Sequence, residues 1–280
     1  MTDHPAPVIA TDLDGTLLRD DSTLSDRTRR ALRLARAAGA RVVVATARPA
    51  RVIDVLFGGD ELDAAVCGNG AVIYEVGSAR VEIAKPLHED LARWLITEIH
   101  SLVPELGFAV ETGTHALYEP GYRYHPTLDH DRFEVACIAD LMVGPLVKVM
   151  VYLPHANPYD TWELLRPILG AAVDCTWSSP TAPALEISAI GVSKADALAG
   201  LCSRWGVSPA DVTAFGDAVN DLPMLVWAGT PYAVANADPR VLAATANHTA
   251  TNNDDGVALV LERLFTPWPG RTIHVRPSGI

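Results

Sequence analysis

Two aspartates follow a short, mostly apolar run near the start of the chain. Residues 8–11 have the character of a buried parallel strand, and Asp12, Asp14 and Gly15 come immediately after them. In extended backbone, residues i and i+2 project to the same side, so we expect both carboxylates to face one point. Like charges this close raise each other's pKa unless a cation lies between them. The stretch therefore predicts a binding site for a hard metal ion next to catalytic groups.

Two later groups of polar residues also end apolar runs. They are Thr46, after residues 41–45, and Asp217, Asn220 and Asp221, after residues 212–216. The carboxyl ends of the strands border the ligand crevice in open α/β sheets, so we expect these residues along one edge with the two aspartates. Carboxylates about 4 Å apart repel by about 4 kcal/mol at an effective dielectric constant of about 20, which again favours a bound cation. Oxygen ligands without His or Cys favour Mg²⁺.

Lys194 supplies charge of the opposite sign. The chain has three lysines among its 22 basic residues, and this one stands where a helix is expected to begin. An ammonium near a helix N-terminus can neutralise a phosphoryl oxygen. A solvated surface lysine is the alternative interpretation of this residue taken alone.

A parallel sheet is the element that would position these residues. The spacing predicts strands at 8–11, 41–46 and 64–67, with helices at 27–38 and from Pro49 toward Phe57. The pattern resumes near Ile187 with a helix at 193–205 and a strand at 212–217. Alternating strands and helices predict an α/β fold, a Rossmann-like parallel sheet core with helices on both faces.

The middle of the chain has a different pattern of predicted helices and strands. Helices are expected at 89–102 and 158–169, with strands at 107–111, 116–118, 146–153 and 171–176. This mixture resembles an α+β module with an antiparallel sheet. We therefore expect an inserted α+β domain at 84–185 within a core domain formed by residues 1–83 and 186–280.

Composition excludes several classes of protein. The net charge of -12 argues against a broad nucleic-acid interface, and no apolar run has the length of a membrane span. The four cysteines are scattered without a CxxC pair, which is typical of a reduced compartment, and residues 1–7 lack a secretory signal. We expect a cytoplasmic protein with neither nucleic acid nor membrane as a partner.

Together these motifs resemble the haloacid dehalogenase (HAD) superfamily of phosphohydrolases. Residues 12–17 match its first motif, Thr46 its second, Lys194 its third and residues 216–221 its fourth. The long insert between the second and third motifs resembles the large α/β cap (type IIB) of the Cof-type subfamily, as do residues 68–71 and 251–257. One departure is Ala47, where the second motif often has glycine between its threonine and arginine.

The resemblance implies a role for each of these residues. Asp12 would attack phosphorus to form an aspartyl-phosphate, and Asp14 would act as general acid and then general base. The implied ligands of Mg²⁺ are Asp12, Asp14 through its backbone carbonyl, and Asp217, with Asp221 near or behind the ion. The implied phosphate-binding residues are Thr46, Lys194 and Asn220.

The implied activity is that of a Mg²⁺-dependent phosphatase acting on a small phosphorylated metabolite, with a sugar phosphate as the expected substrate. One alternative is a phosphomutase of the phosphomannomutase type, which would use the same intermediate. A second alternative is a non-catalytic regulatory protein that binds phosphometabolites. In such a protein we would expect one or more of the catalytic residues to be replaced. His125, Asp129, His130 and Asp131 lie close together in the sequence. They could form a second metal site, and the simpler interpretation is a polar loop of the inserted domain.

Overall fold

The computed structural model describes residues 6–123, 129–177 and 184–266 of the chain. In chain order the strands are β1 (Val8–Thr11), β2 (Arg41–Ala45), β3 (Ala64–Cys67), β4 (Val72–Glu75), β5 (Arg80–Ile83), β6 (Gly107–Glu111), β7 (Ala116–Tyr118), β8 (Arg132–Glu134), β9 (Lys148–Tyr152), β10 (Val173–Thr176), β11 (Ala184–Ala189), β12 (Val212–Gly216), β13 (Thr230–Val234) and β14 (Asn247–Thr249). The helices are α1 (Asp26–Ala37), α2 (Arg51–Leu56), α3 (Glu89–Leu102), α4 (Pro158–Leu169), α5 (Lys194–Arg204), α6 (Leu222–Trp227), α7 (Pro239–Ala244) and α8 (Gly256–Phe265).

The larger sheet has the strand order β14-β13-β12-β1-β2-β3-β4-β5. The pairs from β14 to β3 are all parallel, which confirms the predicted α/β fold with a parallel core. Helix α1 packs against α8, and α5 packs against α6. Every residue of β1 is buried, as expected for a central strand with both sheet faces covered.

Two further strands extend this sheet in the antiparallel sense. The pairs β3–β4 and β4–β5 are antiparallel, and the sequence analysis predicted neither β4 nor β5. The tight turn Gly68–Gly70 links β3 to β4, and all three of its residues have positive φ. A connection this short allows only an antiparallel neighbour, because a parallel one needs a crossover.

The second sheet has the order β10-β11-β9-β6-β7-β8. All of its pairs are antiparallel except β7–β8. Helices α3 and α4 pack together, and their residues Leu95 and Leu165 share one apolar core with Phe108 and Val149 of the sheet. This module matches the predicted α+β character of the middle of the chain, and we refer to it as the cap.

Strand β11 belongs to the cap sheet and not to the parallel core, contrary to what the sequence predicted. The sequence analysis placed the return of the parallel pattern near Ile187, but Ile187 pairs with Val149 of β9 in the antiparallel cap sheet. The alternation of apolar residues in β11 is therefore that of a cap strand. The second sheet ends at Ala189, beyond the domain boundary predicted at residue 186, and the division into two domains stays a prediction.

A buried ion cluster joins helix α2 to the cap sheet. Arg51 at the start of α2 donates to Glu111 of β6 with its two terminal nitrogens, at 2.8 Å each. Its Nε lies 2.6 Å from Asp129, which also accepts from Arg132. His125 of the alternative metal cluster lies outside the described residues, and Asp129 of that cluster is engaged by two arginines.

No helix in the described ranges combines the length and apolar character that crossing a bilayer requires. The four cysteines, Cys67, Cys137, Cys175 and Cys202, are free thiols.

The Arg51 cluster generates a stability prediction. The Arg51→Ala substitution leaves two carboxylates with side-chain exposures of 4% and 5% without their main counter-charge. We expect the free energy of unfolding to fall by about 3–5 kcal/mol, because unpaired buried charge is strongly unfavourable. Urea denaturation followed by tryptophan fluorescence measures this change.

The matched control is Arg93→Ala, which removes an exposed arginine–glutamate pair within α3. Such exposed pairs contribute about 0.3–0.5 kcal/mol. Equal effects of the two substitutions would contradict the role assigned to the buried cluster.

Candidate active site

The turn after β1 carries the two leading aspartates. Strand β1 ends at Thr11, and Leu13–Leu17 forms a wide helical turn in which Gly15 has φ +78°. A Cβ on Gly15 would lie 2.5 Å from Asp217 Oδ2, so the glycine admits the loop after β12 at close range. Asp12 and Asp14 both have extended φ/ψ, but Asp14 lies within this turn and not in β1. Both side chains line one cavity.

Lys194, the first residue of α5, lies between two carboxylates. Its Nζ donates to Asp12 Oδ1 at 2.6 Å and to Asp221 Oδ1 at 2.7 Å, and its side chain is 2% exposed. Burial by itself would lower the pKa of Lys194, but the two carboxylates outweigh it and raise the pKa above its usual value. The lysine is a buried cation, and the solvated surface alternative is excluded.

Asp221 shapes the loop that follows β12. Its Oδ2 accepts the backbone N–H groups of Asp217 at 3.1 Å and Ala218 at 3.0 Å, while its Oδ1 accepts from Lys194. The side chain is completely buried. These bonds fit a residue that orients Lys194 and Asp217 from behind the site.

The carboxylates of Asp12, Asp217 and Asp221 offer oxygens within 4.8 Å of one another. Burial raises the pKa of Asp12 well above its usual range, and the charge of Asp221 raises it further. Burial also raises the pKa of Asp217, although a 2.6 Å hydrogen bond from Thr16 opposes this. Three carboxylates face one ammonium, so this oxygen-only set fits a hard divalent cation. Among the described residues no other such group of three occurs.

The side chain of Asp14 lies apart from this group. Arg48 holds it through two hydrogen bonds, from Nε to Oδ2 at 2.7 Å and from Nη2 to Oδ1 at 2.5 Å. The Asp14 side chain is 51% exposed, so it remains accessible from the solvent. Thr46 is fully buried, and its hydroxyl accepts the backbone N–H of Arg48 at 3.1 Å.

A cavity of about 790 Å³ lies between the two sheets. From the core its lining includes Asp12, Asp14, Lys194, Asp217 and Asn220, and from the cap it includes Tyr122, Lys148, Trp177 and Glu186. Asn220 donates to Asn69 Oδ1 at 3.2 Å. Five of the predicted site residues thus share one cavity, whereas Thr46 and Asp221 are buried behind its described lining.

The sequence analysis did not assign the cap residues of this cavity. Lys148 and Glu186 are charged positions in strands whose neighbours are apolar and buried. An isolated charge within a buried strand was the signal that could have found them. Arg48 belongs to the second motif, but its hydrogen bonds to Asp14 were not predicted from the sequence.

The haloacid dehalogenase-like hydrolase family matches residues 9–261 of this chain. The chain belongs to the haloacid dehalogenase-like hydrolases. Membership confirms the resemblance carried by the four motifs, and it agrees with a site that combines buried carboxylates with one buried lysine. This HAD-family protein is a phosphoric monoester hydrolase, as similarity to the following relatives supports.

Two phosphatases are similar over nearly their whole length. The 5-amino-6-(5-phospho-D-ribitylamino)uracil phosphatase YitU of Bacillus subtilis (strain 168) is 29% identical over 276 residues, which cover 92% of this chain and 97% of that protein. The pyridoxal phosphate phosphatase YbhA of Escherichia coli (strain K12) is 30% identical over 274 residues, which cover 90% of this chain and 96% of that protein.

Solved structures share the fold. A haloacid dehalogenase-like hydrolase from Bacteroides thetaiotaomicron superimposes with a TM-score of 0.81 at 26% identity, covering 93% of this chain and 100% of that one. The HAD subclass IIB sugar phosphatase BT4131 superimposes with a TM-score of 0.77 at 18% identity, covering 92% and 99%. The second likeness concerns the fold, including the cap.

The pairing of Lys194 generates a stability prediction with a pH dependence. Lys194→Met removes the ammonium from between Asp12 and Asp221, and we expect a loss of about 3–5 kcal/mol at neutral pH in EDTA. The pKa of Asp12 is already raised in the folded state, so its protonated form relieves the charge. A raised carboxyl pKa favours folding at low pH, and this stability is lost as the pH rises through the folded-state pKa. The loss in the variant should therefore grow from acidic to neutral pH.

Urea denaturation at a series of pH values measures this trend. The control is Lys85→Met, which removes a lysine that donates to the Gly191 carbonyl outside the carboxylate group. A Lys194→Met variant as stable as Lys85→Met at every pH would contradict the buried role of Lys194.

Proposed function

We propose that this HAD-family hydrolase is a Mg²⁺-dependent phosphatase that cleaves a sugar phosphate through an aspartyl-phosphate on Asp12. The observation that carries the proposal is the position of the Lys194 ammonium, which holds Asp12 at the wall of a cavity that Asp14 also lines. A nucleophile, a proton-transfer group and a fixed cation thus face one enclosed space, which is what stepwise phosphoryl transfer requires.

Asp12 is the proposed nucleophile. Lys194 donates to Oδ1 and favours the ionised carboxylate, and the other oxygen attacks phosphorus. The bond between phosphorus and the leaving oxygen breaks as the Asp12–phosphate bond forms. Lys194 also offers positive charge to the phosphoryl oxygens as they pass the site.

Asp14 is the proposed general acid and base. When substrate displaces Arg48, the Asp14 carboxylate takes up a proton from solvent, hydrogen-bonds to the leaving oxygen and transfers that proton to it as the P–O bond breaks. In the second half of the reaction it accepts a proton from water. The water oxygen bonds to phosphorus, the Asp12–phosphate bond breaks, and inorganic phosphate leaves.

The proposed Mg²⁺ would be held by Asp12, Asp217 and the backbone carbonyl of Asp14, with Asp221 behind it. When bound, the ion would neutralise part of the negative charge of the Asp12 carboxylate and the phosphate. Thr16 and Asp221 orient Asp217 through the hydrogen bonds described above. Thr46 and Asn220 keep their predicted role in binding the transferring group.

The size and setting of the cavity support a small substrate. Its volume of about 790 Å³ lies within the range of about 300–1,000 Å³ common for metabolite sites. Relatives named for pyridoxal phosphate and for a phosphoribitylamino uracil also act on small phosphorylated compounds. The cap closes one side of the cavity, which would limit access of bulk water to the intermediate.

Phosphate release tests this function. We expect release from p-nitrophenyl phosphate and from members of a sugar phosphate panel with Mg²⁺, and none with EDTA. Asp12→Asn should lower the rate by more than about 1,000-fold, because an amide oxygen cannot form the intermediate. Asp131→Asn, a change at an exposed aspartate of the cap, is the matched control.

The alternatives give different results in the same assay. Isomerised sugar phosphate in place of free phosphate would favour the phosphomutase, and binding without turnover would favour the regulatory protein. Wild-type rates from Asp12→Asn would refute the proposed nucleophile.

Asp14→Asn provides a separate prediction about the two half-reactions. Because p-nitrophenolate leaves readily without protonation, the first step should proceed, whereas activation of water should slow by about 100- to 10,000-fold. Stopped-flow absorbance should then show a burst of p-nitrophenol equal to the enzyme concentration, followed by a slow phase. A variant that lacks both the burst and the slow phase would contradict this division of roles.

A further inference from the structure

Two charged side chains of the cap sheet meet inside the active-site cavity. Lys148 of β9 donates to Glu186 Oε2 of the neighbouring strand β11 at 2.7 Å. The side chains are 8% and 15% exposed, and both line the cavity. Lys148 Nζ also lies 3.4 Å from the carbonyl oxygen of Ala47, in the loop that links Thr46 to Arg48. Lys148 therefore connects the cap sheet to the core loop at the wall of the cavity.

Packing alone gives little reason for an ion pair at this place. The residues on either side of Lys148 are the buried Val147 and Val149, and a buried ion pair is often no more stabilising than apolar residues of similar size. An ammonium has three donors and a carboxylate has about four acceptor positions, more than their mutual bond uses. Because both groups border the cavity, they can offer a donor and an acceptor side by side to a bound molecule.

The other charged groups on the cap side of the cavity are engaged with one another. Glu111 and Asp129 accept from Arg51, and Asp129 also accepts from Arg132. A second anionic group on the substrate would have to compete with these carboxylates for the same cations. An uncharged group with hydroxyls needs only an adjacent donor and acceptor, which the cap offers.

We propose that Lys148 and Glu186 determine specificity by binding neighbouring hydroxyls of an uncharged leaving group, Lys148 as donor and Glu186 as acceptor. This inference rests on the proposed phosphatase function and adds the residues that select its substrate. Trp177, which also lines the cavity, offers an apolar surface for the carbon atoms that carry those hydroxyls.

The test compares substrates with and without hydroxyls in the leaving group. Lys148→Met and Glu186→Gln are assayed with the best sugar phosphate of the panel and with p-nitrophenyl phosphate. We expect kcat/KM for the sugar phosphate to fall by about 10- to 100-fold in each variant, because a charged hydrogen bond is lost. For p-nitrophenyl phosphate, which lacks hydroxyls, we expect a change of less than about threefold.

Two further substrates sharpen the test with the wild-type enzyme. A deoxy analogue that lacks one of the bound hydroxyls should show a reduced kcat/KM in the wild type but not in the variant of its partner residue. A phosphorylated sugar acid of the same length should be at least about tenfold poorer than the neutral sugar phosphate, because its carboxylate opposes Glu186. An equal or better rate with the sugar acid would overturn the preference for a neutral leaving group.

Controls separate specificity from folding and from the proposed function itself. Lys85→Met removes a lysine outside the cavity and should leave both substrates unaffected. If Lys148→Met does not fold, Lys148→Gln retains a donor of shorter reach and replaces it. Equal losses on both substrates, or no loss on either, would overturn the specificity role. A wild-type enzyme inactive on both substrates would instead refute the phosphatase, and the inference with it.

Discussion

The ammonium of Lys194 is buried between Asp12 and Asp221, and the geometry of the site depends on this contact. A buried charge is tolerated only when opposite charges and hydrogen bonds surround it. The partners come from the turn after β1 and the loop after β12, which are adjacent strands at the centre of the sheet. Those strand ends therefore determine where chemistry can occur in this protein.

The glycines of the site serve this packing. Gly70 lies against the backbone of Ser193, where a Cβ would clash, so the turn after β3 supports the start of α5. Gly15 similarly leaves space for Asp217. Ser193 accepts the N–H of Asp196 as the cap of α5, which orients the helix that begins with Lys194. The side chains of Lys194 and Asp217 are thus positioned by backbone that only small residues permit.

The two sides of the cavity differ in electrostatics. On the core side, Asp12, Asp217 and Asp221 outnumber Lys194, and the excess negative charge fits a divalent cation and a phosphoryl group. On the cap side the charged residues form ion pairs with one another, as Lys148 does with Glu186. The core side is therefore suited to phosphoryl chemistry, whereas our proposal assigns the balanced charges of the cap to the remainder of the substrate.

The sequence by itself determined the parallel core, most helices and the family, because apolar periodicity and the motif residues act through local geometry and strand ends. Helices α3 and α4 have the predicted bounds, whereas β4, β5, β8 and β14 were not predicted, since short strands depend on their partners. Only the tertiary structure decided that Arg48 holds Asp14, that Ile187 belongs to the cap, and that Lys148 meets Glu186. These contacts join residues distant in sequence. The register of the cap sheet, which places Ile187 beside Val149 and brings Lys148 to Glu186, is set by packing across the whole cap.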